Sequence, residues 1–237
     1  LILPEDRLKL SGISAHWLVG SSTTNRIADF SIKQIKHLAQ DPFFPPLSLS
    51  GNVIQQTNVD KRAPYLLSLT AGTSSLSYLK MDGEYAIENG NGQLILQVSP
   101  IKFASSKLQP KQLFPPLAAL ENVNGQIHGK ATIRWSKKGV SKSNAVISAK
   151  DFSFAYGSTQ VKGLNTRLSL NNLLPIRSEP KQNISIQALD FGIPIQDLLV
   201  SYQINTRDTP RVLLDQVHFL ILGGEVTINP VVINLDP

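Results

Sequence analysis

The side chains that could do chemistry in this sequence are few and scattered. There are four histidines, His16, His37, His128 and His218, and no cysteine. A zinc site shows in sequence as His or Cys pairs two to four residues apart, because neighbouring ligands must converge on one ion. None of the four histidines has such a partner, so no metal site is expected. Serines are abundant, but none stands in a Gly-x-Ser-x-Gly elbow that would expose an activated nucleophile. Asp151, Asp190, Asp215 and Glu225 could serve as an acid and base pair only if folding brought two of them together, and their spacing gives no reason for that. No Gly-x-x-x-x-Gly-Lys loop or strand-Gly-x-Gly-x-x-Gly-helix unit is present, so nucleotide chemistry is not expected either. The chain does not read as an enzyme, and no cofactor is implied.

Charge offers two further leads. With 23 Lys and Arg against 17 Asp and Glu, the formal net charge is +6, enough to attract anionic surfaces and also enough simply to keep a protein dispersed. Lys137, Lys138, Lys142 and Lys150 gather around the stretch from Trp135 to Phe154, and a reader of RNA interleaves aromatics with such cations. A solvated turn looks the same, and no nucleic acid partner is expected. Arg207 and Arg211 could grip a dicarboxylate in bidentate fashion, although arginines at that spacing also flank turns.

The elements that would carry these residues are strands. Hydrophobic residues make up 41% of the chain and aromatics 7%, and 15 Gly and 15 Pro break the sequence at short intervals, a balance that favours strands and turns over long helices. In Gln126 to Ser136, the residues Ile127, Gly129, Ala131, Ile133 and Trp135 alternate with Gln126, His128, Lys130, Thr132 and Arg134, the period of two that gives a strand one dry face and one wet face. Leu164 to Asn171 and Leu198 to Asn205 follow the same pattern. Further strands are predicted at Arg7 to Ile13, Leu47 to Ile54, Tyr65 to Thr70, Glu84 to Ile87, Gln93 to Phe103, Asn183 to Ala188, Val212 to Leu222 and Glu225 to Leu235. Asn89-Gly90-Asn91-Gly92 tolerates positive φ and predicts a hairpin. In Ala145 to Tyr156 the apolar parity shifts from Ala145, Ile147 and Ala149 to Phe152, Phe154 and Tyr156, which predicts a bulge or bend near Lys150 and Asp151.

Helical signals are sparse. Pro115-Pro116 followed by Leu117 to Leu120 suits a short turn, and Ile32, Ile35 and Leu38 have helical spacing ahead of Pro42. The proline-bearing stretches Asp41 to Pro46 and Leu174 to Lys181 are loop candidates. The organisation expected is one β segment over residues 1–237, with a soft boundary near 104–124. The chain opens on Leu1 without a charged-then-apolar leader, so it reads as a piece excised from a longer protein. No run approaches the roughly 18 to 20 apolar residues that span a bilayer as a helix. The most apolar stretch, Val217 to Leu222, stops at Gly223 and Gly224.

Several phrases, taken in order, resemble the YdbH-like family of AsmA-related bacterial envelope proteins, which carries the older label "dicarboxylate transport". They are Gly125-Gln126-Ile127-His128-Gly129-Lys130-Ala131-Thr132-Ile133-Arg134-Trp135, Asp151-Phe152-Ser153-Phe154 with Val161-Lys162-Gly163-Leu164, Leu173-Leu174-Pro175, Leu189-Asp190-Phe191-Gly192-Ile193-Pro194-Ile195, and Leu222-Gly223-Gly224-Glu225-Val226. The resemblance covers the last half of the chain well and the first half loosely. It implies a periplasmic protein, anchored in the inner membrane by an N-terminal helix absent from this chain. Its fold would be an all-β, elongated, curved antiparallel sheet with one or two short helices, forming an open groove of the bridge-like lipid carrier type. The implied ligand is phospholipid, with acyl chains shielded in the groove on the way between inner and outer membrane. The implied protein partner is a small outer-membrane lipoprotein added as a strand at the C-terminal end of the parent. The family brings no catalytic residues.

On that reading the apolar stripes supply the groove lining: Ile127, Ala131, Ile133, Trp135, Phe152, Phe154, Leu168, Leu170, Val200, Tyr202 and Ile204. Two rivals stay open. A structural or adhesion module, a closed β-sandwich or β-solenoid, would bury the same stripes against each other. A dicarboxylate component would need a compact polar site around residues such as Arg207 and Arg211.

Overall fold

The structure is a computed structural model that describes residues 2–3, 7–17, 26–55, 64–207 and 209–235. Nearly every described residue outside the turns is in a strand, and the strands pair antiparallel. The chain forms two compact units, one of Leu1–Ser99, Lys111–Pro116 and Thr132–Lys142, the other of Pro100–Pro110, Leu117–Ala131 and Ser143–Pro237.

In the first unit β1 (Ile2–Leu3), β2 (Leu8–Trp17), β3 (Arg26–His37), β4 (Leu47–Gln55), β5 (Tyr65–Gly72), β6 (Ser77–Ala86) and the start of β7 (Asn91–Phe103) follow one another as a meander, each paired with the next. Register decides what the sheet presents, because residues directly opposite on neighbouring strands share a face. One row across the strands reads Ile13, Ile32, Leu49, Ala71, Leu79, Val98. The next row, on the other face, reads Ser14, Ser31, Ser50, Thr70, Lys80, Gln97. On this polar face Ser14 and Ser31 hydroxyls meet at 2.8 Å, Ser50 and Thr70 at 3.1 Å, and Ser68 donates to Asp82 at 2.9 Å.

The helical spacing of Ile32, Ile35 and Leu38 is not a helix. Ile32 and Ile35 lie in β3, whose register against β4 slips between them. A bulge inserts one extra residue, so two residues three apart return to the same face, and the spacing of three imitates a helical stripe. The predicted hairpin forms: the turn is Ile87 to Gly90, with Gly90 at φ 66° and the Asn89 side chain accepting from the Asn91 N–H at 2.9 Å. The strand preceding it begins at Ser77, earlier than the alternation around Glu84 suggests.

The second unit contains the rest of β7 and most of β8 (Glu121–Ser136) and β9 (Gly139–Tyr156), followed by β10 (Thr159–Leu173), β11 (Ile176–Ser178), β12 (Gln182–Asp190), β13 (Pro194–Asn205), β14 (Arg211–Ile221), β15 (Gly224–Ile228) and β16 (Val231–Asn234). β10 pairs with β9 on one side and with β11 and β12 on the other, β12 with β13, and β13 with β14. β15 and β16 lie along the same side of β14 in one continuous register, so the predicted strand from Glu225 to Leu235 is a single edge interrupted at Pro230, which has no N–H for the ladder. The predicted turn after Pro115 is the 3-10 segment Pro115–Ala119, preceded by a second one at Pro110–Gln112.

The predicted bulge near Asp151 is present, and it has partners. Asp151 has φ 49°, and β9 gains one residue against β10 between Leu164 and Thr166. Gly163, at φ 65°, gives the residue back on β10 between Val161 and Leu164. Asp197, at φ 49°, does the same for β13 against β14. Each insertion reverses the parity of its strand, so apolar residues that change from odd to even numbers stay on one side. The sheet of neither unit closes on itself among the described residues, since β1 pairs only with β2 and β15 and β16 only with β14.

Candidate functional site

In the second unit one face is largely apolar from β9 to β15. A row below the bulges reads Ala149, Thr166, Ile184, Val200, Val217, Ile228, and a row above them reads Phe154, Val161, Leu189, Ile195, Ile221. The reverse face carries Ser148 opposite Arg167 and the row Asn183, Ser201, Gln216. The stripes singled out in sequence fall on the apolar side: Phe152 faces Leu164, Leu168 faces Ile147, Leu170 faces Ala145, Tyr202 faces Leu214, and Ile204 faces Val212. Phe154 and Val200 are members of the two rows. The Cβ that Gly129 lacks would point to the Ile147 side chain at 3.8 Å, which puts Ile127 and Ala131, two residues away on either side, on that face as well. Trp135 belongs to the first unit, where its indole lies over Gly92 in the space a Cβ would occupy. Ile133 shares its parity.

Alternation in the first unit carries the same signal. Leu47, Leu49, Gly51 and Val53 share one face and meet Leu67, Leu69 and Ala71 across β4 and β5. In the second unit Ile184, Ile186 and Phe219 lie on predicted strands and carry the same alternation.

These faces are not covered as a core would be. Ten apolar residues among the described ones are buried, among them Ala28, Ala71, Ala145, Val161, Ile195, Tyr202 and Val217. Most of the remainder of the two apolar faces is half-buried, and Ile13, Ile147 and Ile228 are exposed. Two stacked sheets would bury alternate residues along every strand, whereas β4, β10 and β12 run mostly half-buried and alternate burial is confined to short stretches such as Ile101 to Phe103.

Polar groups on the apolar side repair the backbone. Where the β11 and β12 break leaves ladder groups unpaired, the hydroxyl of Ser178 accepts from the Ile204 N–H at 2.9 Å and donates to the Glu179 carbonyl at 2.8 Å. The Gln182 side chain accepts from the Ser169 N–H at 2.7 Å, and the Ser143 hydroxyl accepts from the Leu173 N–H at 3.0 Å. All three are buried, and each satisfies a group that would otherwise be stranded. Burial raises the Tyr202 phenol above its ordinary pKa, and a hydrogen bond with Thr166 partly offsets this.

Among the described residues no three His, Asp or Glu side chains gather as a metal site would need. His218 Nε2 meets Glu225 Oε1 at 2.8 Å across the β14 and β15 pair, on the polar face. Arg207 and Arg211 flank the turn between β13 and β14, both exposed. No described helix is long and apolar enough to cross a membrane.

A protein-family model described as YdbH-like, intermembrane phospholipid transport protein YdbH, matches residues 7–237. Comparison with curated proteins and with solved structures returned no match.

Proposed function

Because the chain belongs to the YdbH-like family, described as intermembrane phospholipid transport proteins, we propose that the apolar faces of its two units hold the acyl chains of phospholipid in transit, leaving the head groups in water. The observation that carries this reading is the largely apolar row across each unit's strands, interrupted by Thr166 in the second unit and mostly half-buried instead of fully buried. Removing apolar surface from water is worth roughly 25 cal/mol per Å², about 0.8 kcal/mol per methylene. A lipid laid on such a face recovers for its tails what the bilayer supplied. The interaction has no direction or fixed register, so a tail can slide from one row to the next. No bond is made or broken, and the polar repairs at Ser178, Gln182 and Ser143 keep their hydrogen bonds within the protein.

In this account the protein is part of a periplasmic bridge between inner and outer membrane, anchored to the inner membrane and continued at its far end by a lipoprotein strand. Strand addition of that kind would use unpaired backbone groups at a sheet edge. A closed structural module is disfavoured by the exposure of Ile147 and Ile13 on the apolar faces. Native mass spectrometry of the purified protein tests the reading. Phospholipid retained in stoichiometric amount is the expected result, and a lipid-free protein that also fails to take up added phospholipid would reject it.

A further inference from the structure

In the second unit the hairpins β9 to β10, β12 to β13 and β14 to β15 all turn at the same end of the sheet. Each tip offers a large apolar side chain to solvent: Tyr156 is 58% exposed, Phe191 49%, Ile193 45% and Leu222 85%. Gly157, Gly192 and Gly223 at these turns have open space where a Cβ would be. The tips continue the apolar face, since Tyr156 follows Phe152 and Phe154 in parity, and Phe191 and Ile193 bracket the turn between Leu189 and Ile195.

Leu222 is a second, independent observation. It sits at φ 50°, followed by Gly223 at φ 77°, in a two-residue turn closed by the Ile221 and Gly224 pair. That turn favours Asn, Asp or Gly at its first position, because positive φ crowds a Cβ. Leucine there is unfavourable for the backbone and unfavourable in water. A residue that breaks two local rules with no packing to compensate is a mark of a functional contact.

We propose that this end of the second unit is a membrane-contacting edge, at which Tyr156, Phe191, Ile193 and Leu222 enter a zwitterionic phospholipid surface and lipid passes between bilayer and apolar face. The second half of that statement rests on the function proposed above. The described residues of the three turns carry Asp190 and no cation, so the attraction is apolar and not electrostatic. Tips of this kind bind by burying side chains in the interface, not by charge.

The test is co-flotation of the 237-residue chain with phosphatidylcholine vesicles at about 1 M salt, where the Debye length is about 3 Å and the +6 net charge is screened. The double variant Phe191→Ser with Leu222→Asn is expected to bind at least tenfold more weakly while its thermal midpoint holds or rises, since Asn suits the turn. Leu174→Ser, which removes an 84% exposed leucine at the opposite strand ends, is expected to bind as the parent does. Equal loss from Leu174→Ser, unchanged binding of the double variant, or binding that needs anionic lipid and vanishes in salt would each overturn the edge. Photo-crosslinking from Leu168 to lipid supplied in detergent separates the two readings. Adducts that persist in the double variant leave the face standing whatever the edge does. Their absence from the parent chain rejects the face and the passage of lipid onto it.

Discussion

Asp151 and Gly163 sit on adjacent strands, both left-handed in backbone, and their two insertions cancel: β9 gains a residue at one and β10 gains it back at the other. Phe152 and Ile147 therefore lie on the same face although one number is even and the other odd. The apolar surface crosses this irregularity without a break, and the bulges are the means by which it does so.

Gly163 is the less replaceable of the two. A Cβ there would stand 2.9 Å from the Gln187 Cβ at a φ that disfavours one in any case. Gly163→Ala should cost about 1–2 kcal/mol of stability in urea denaturation, with Asp151→Gly within about 0.5 kcal/mol of the parent. The reverse order would mean that the Asp151 side chain, and not the backbone turn, sets the bulge.

Ser178, 1% exposed, replaces a ladder bond with its hydroxyl. Ser178→Ala leaves the Ile204 N–H without its acceptor and should cost about 1–3 kcal/mol. Ser158→Ala, in an exposed turn, should stay within about 0.5 kcal/mol. Hydrogen exchange at the Ile204 amide should quicken in the first variant alone.

Much of this was legible beforehand and some was not, for physical reasons. Period two declares a strand and its faces, so the sides of Phe152, Leu168 and Tyr202 could be read, and the parity shift announced Asp151. Bulges also mislead: the slip between Ile32 and Ile35 produces a spacing of three that only pairing with β4 explains. Long-range repairs leave no local trace. The Gln109 side chain accepts from the Val123 N–H at 2.9 Å and donates to the Val123 carbonyl at 3.0 Å, tying residues fourteen apart, and nothing in its neighbourhood marks it. The apolar face of the first unit was written as plainly as that of the second, and only the register joined Leu49, Ala71 and Leu79 into one row.

Gly92 makes room for the Trp135 indole. Gly92→Ala should displace the ring, shift its fluorescence to the red and destabilise the first unit by about 1–3 kcal/mol through overpacking. An unshifted spectrum would mean that the indole does not rest there.

Acid should weaken the first unit slightly through Asp82. The Lys80 side chain bonded to it holds this carboxyl below its ordinary pKa, against a small desolvation and with help from Ser68. A depressed folded pKa contributes stability that is present above the unfolded value, near about 4, and is lost as pH falls through the folded one. The pair is solvent-exposed at 2.9 Å, so the effect should be under about 1 kcal/mol. Asp82→Asn should lower the denaturation midpoint slightly near neutrality and converge with the parent below about pH 4, and a midpoint equal to the parent's at both pH values would mean that the ion pair contributes nothing.

The central claim is that one side of the sheet carries lipid and the other does not, and neighbouring residues on one strand test it. A photo-crosslinking amino acid placed at Leu168 or Tyr202, on the apolar face, should yield phospholipid adducts in the full-length protein in cells. The same probe at Arg167 or Ser201, one position away and on the reverse face, should yield few. Equal labelling on both sides, or labelling confined to Arg167 and Ser201, would contradict the account.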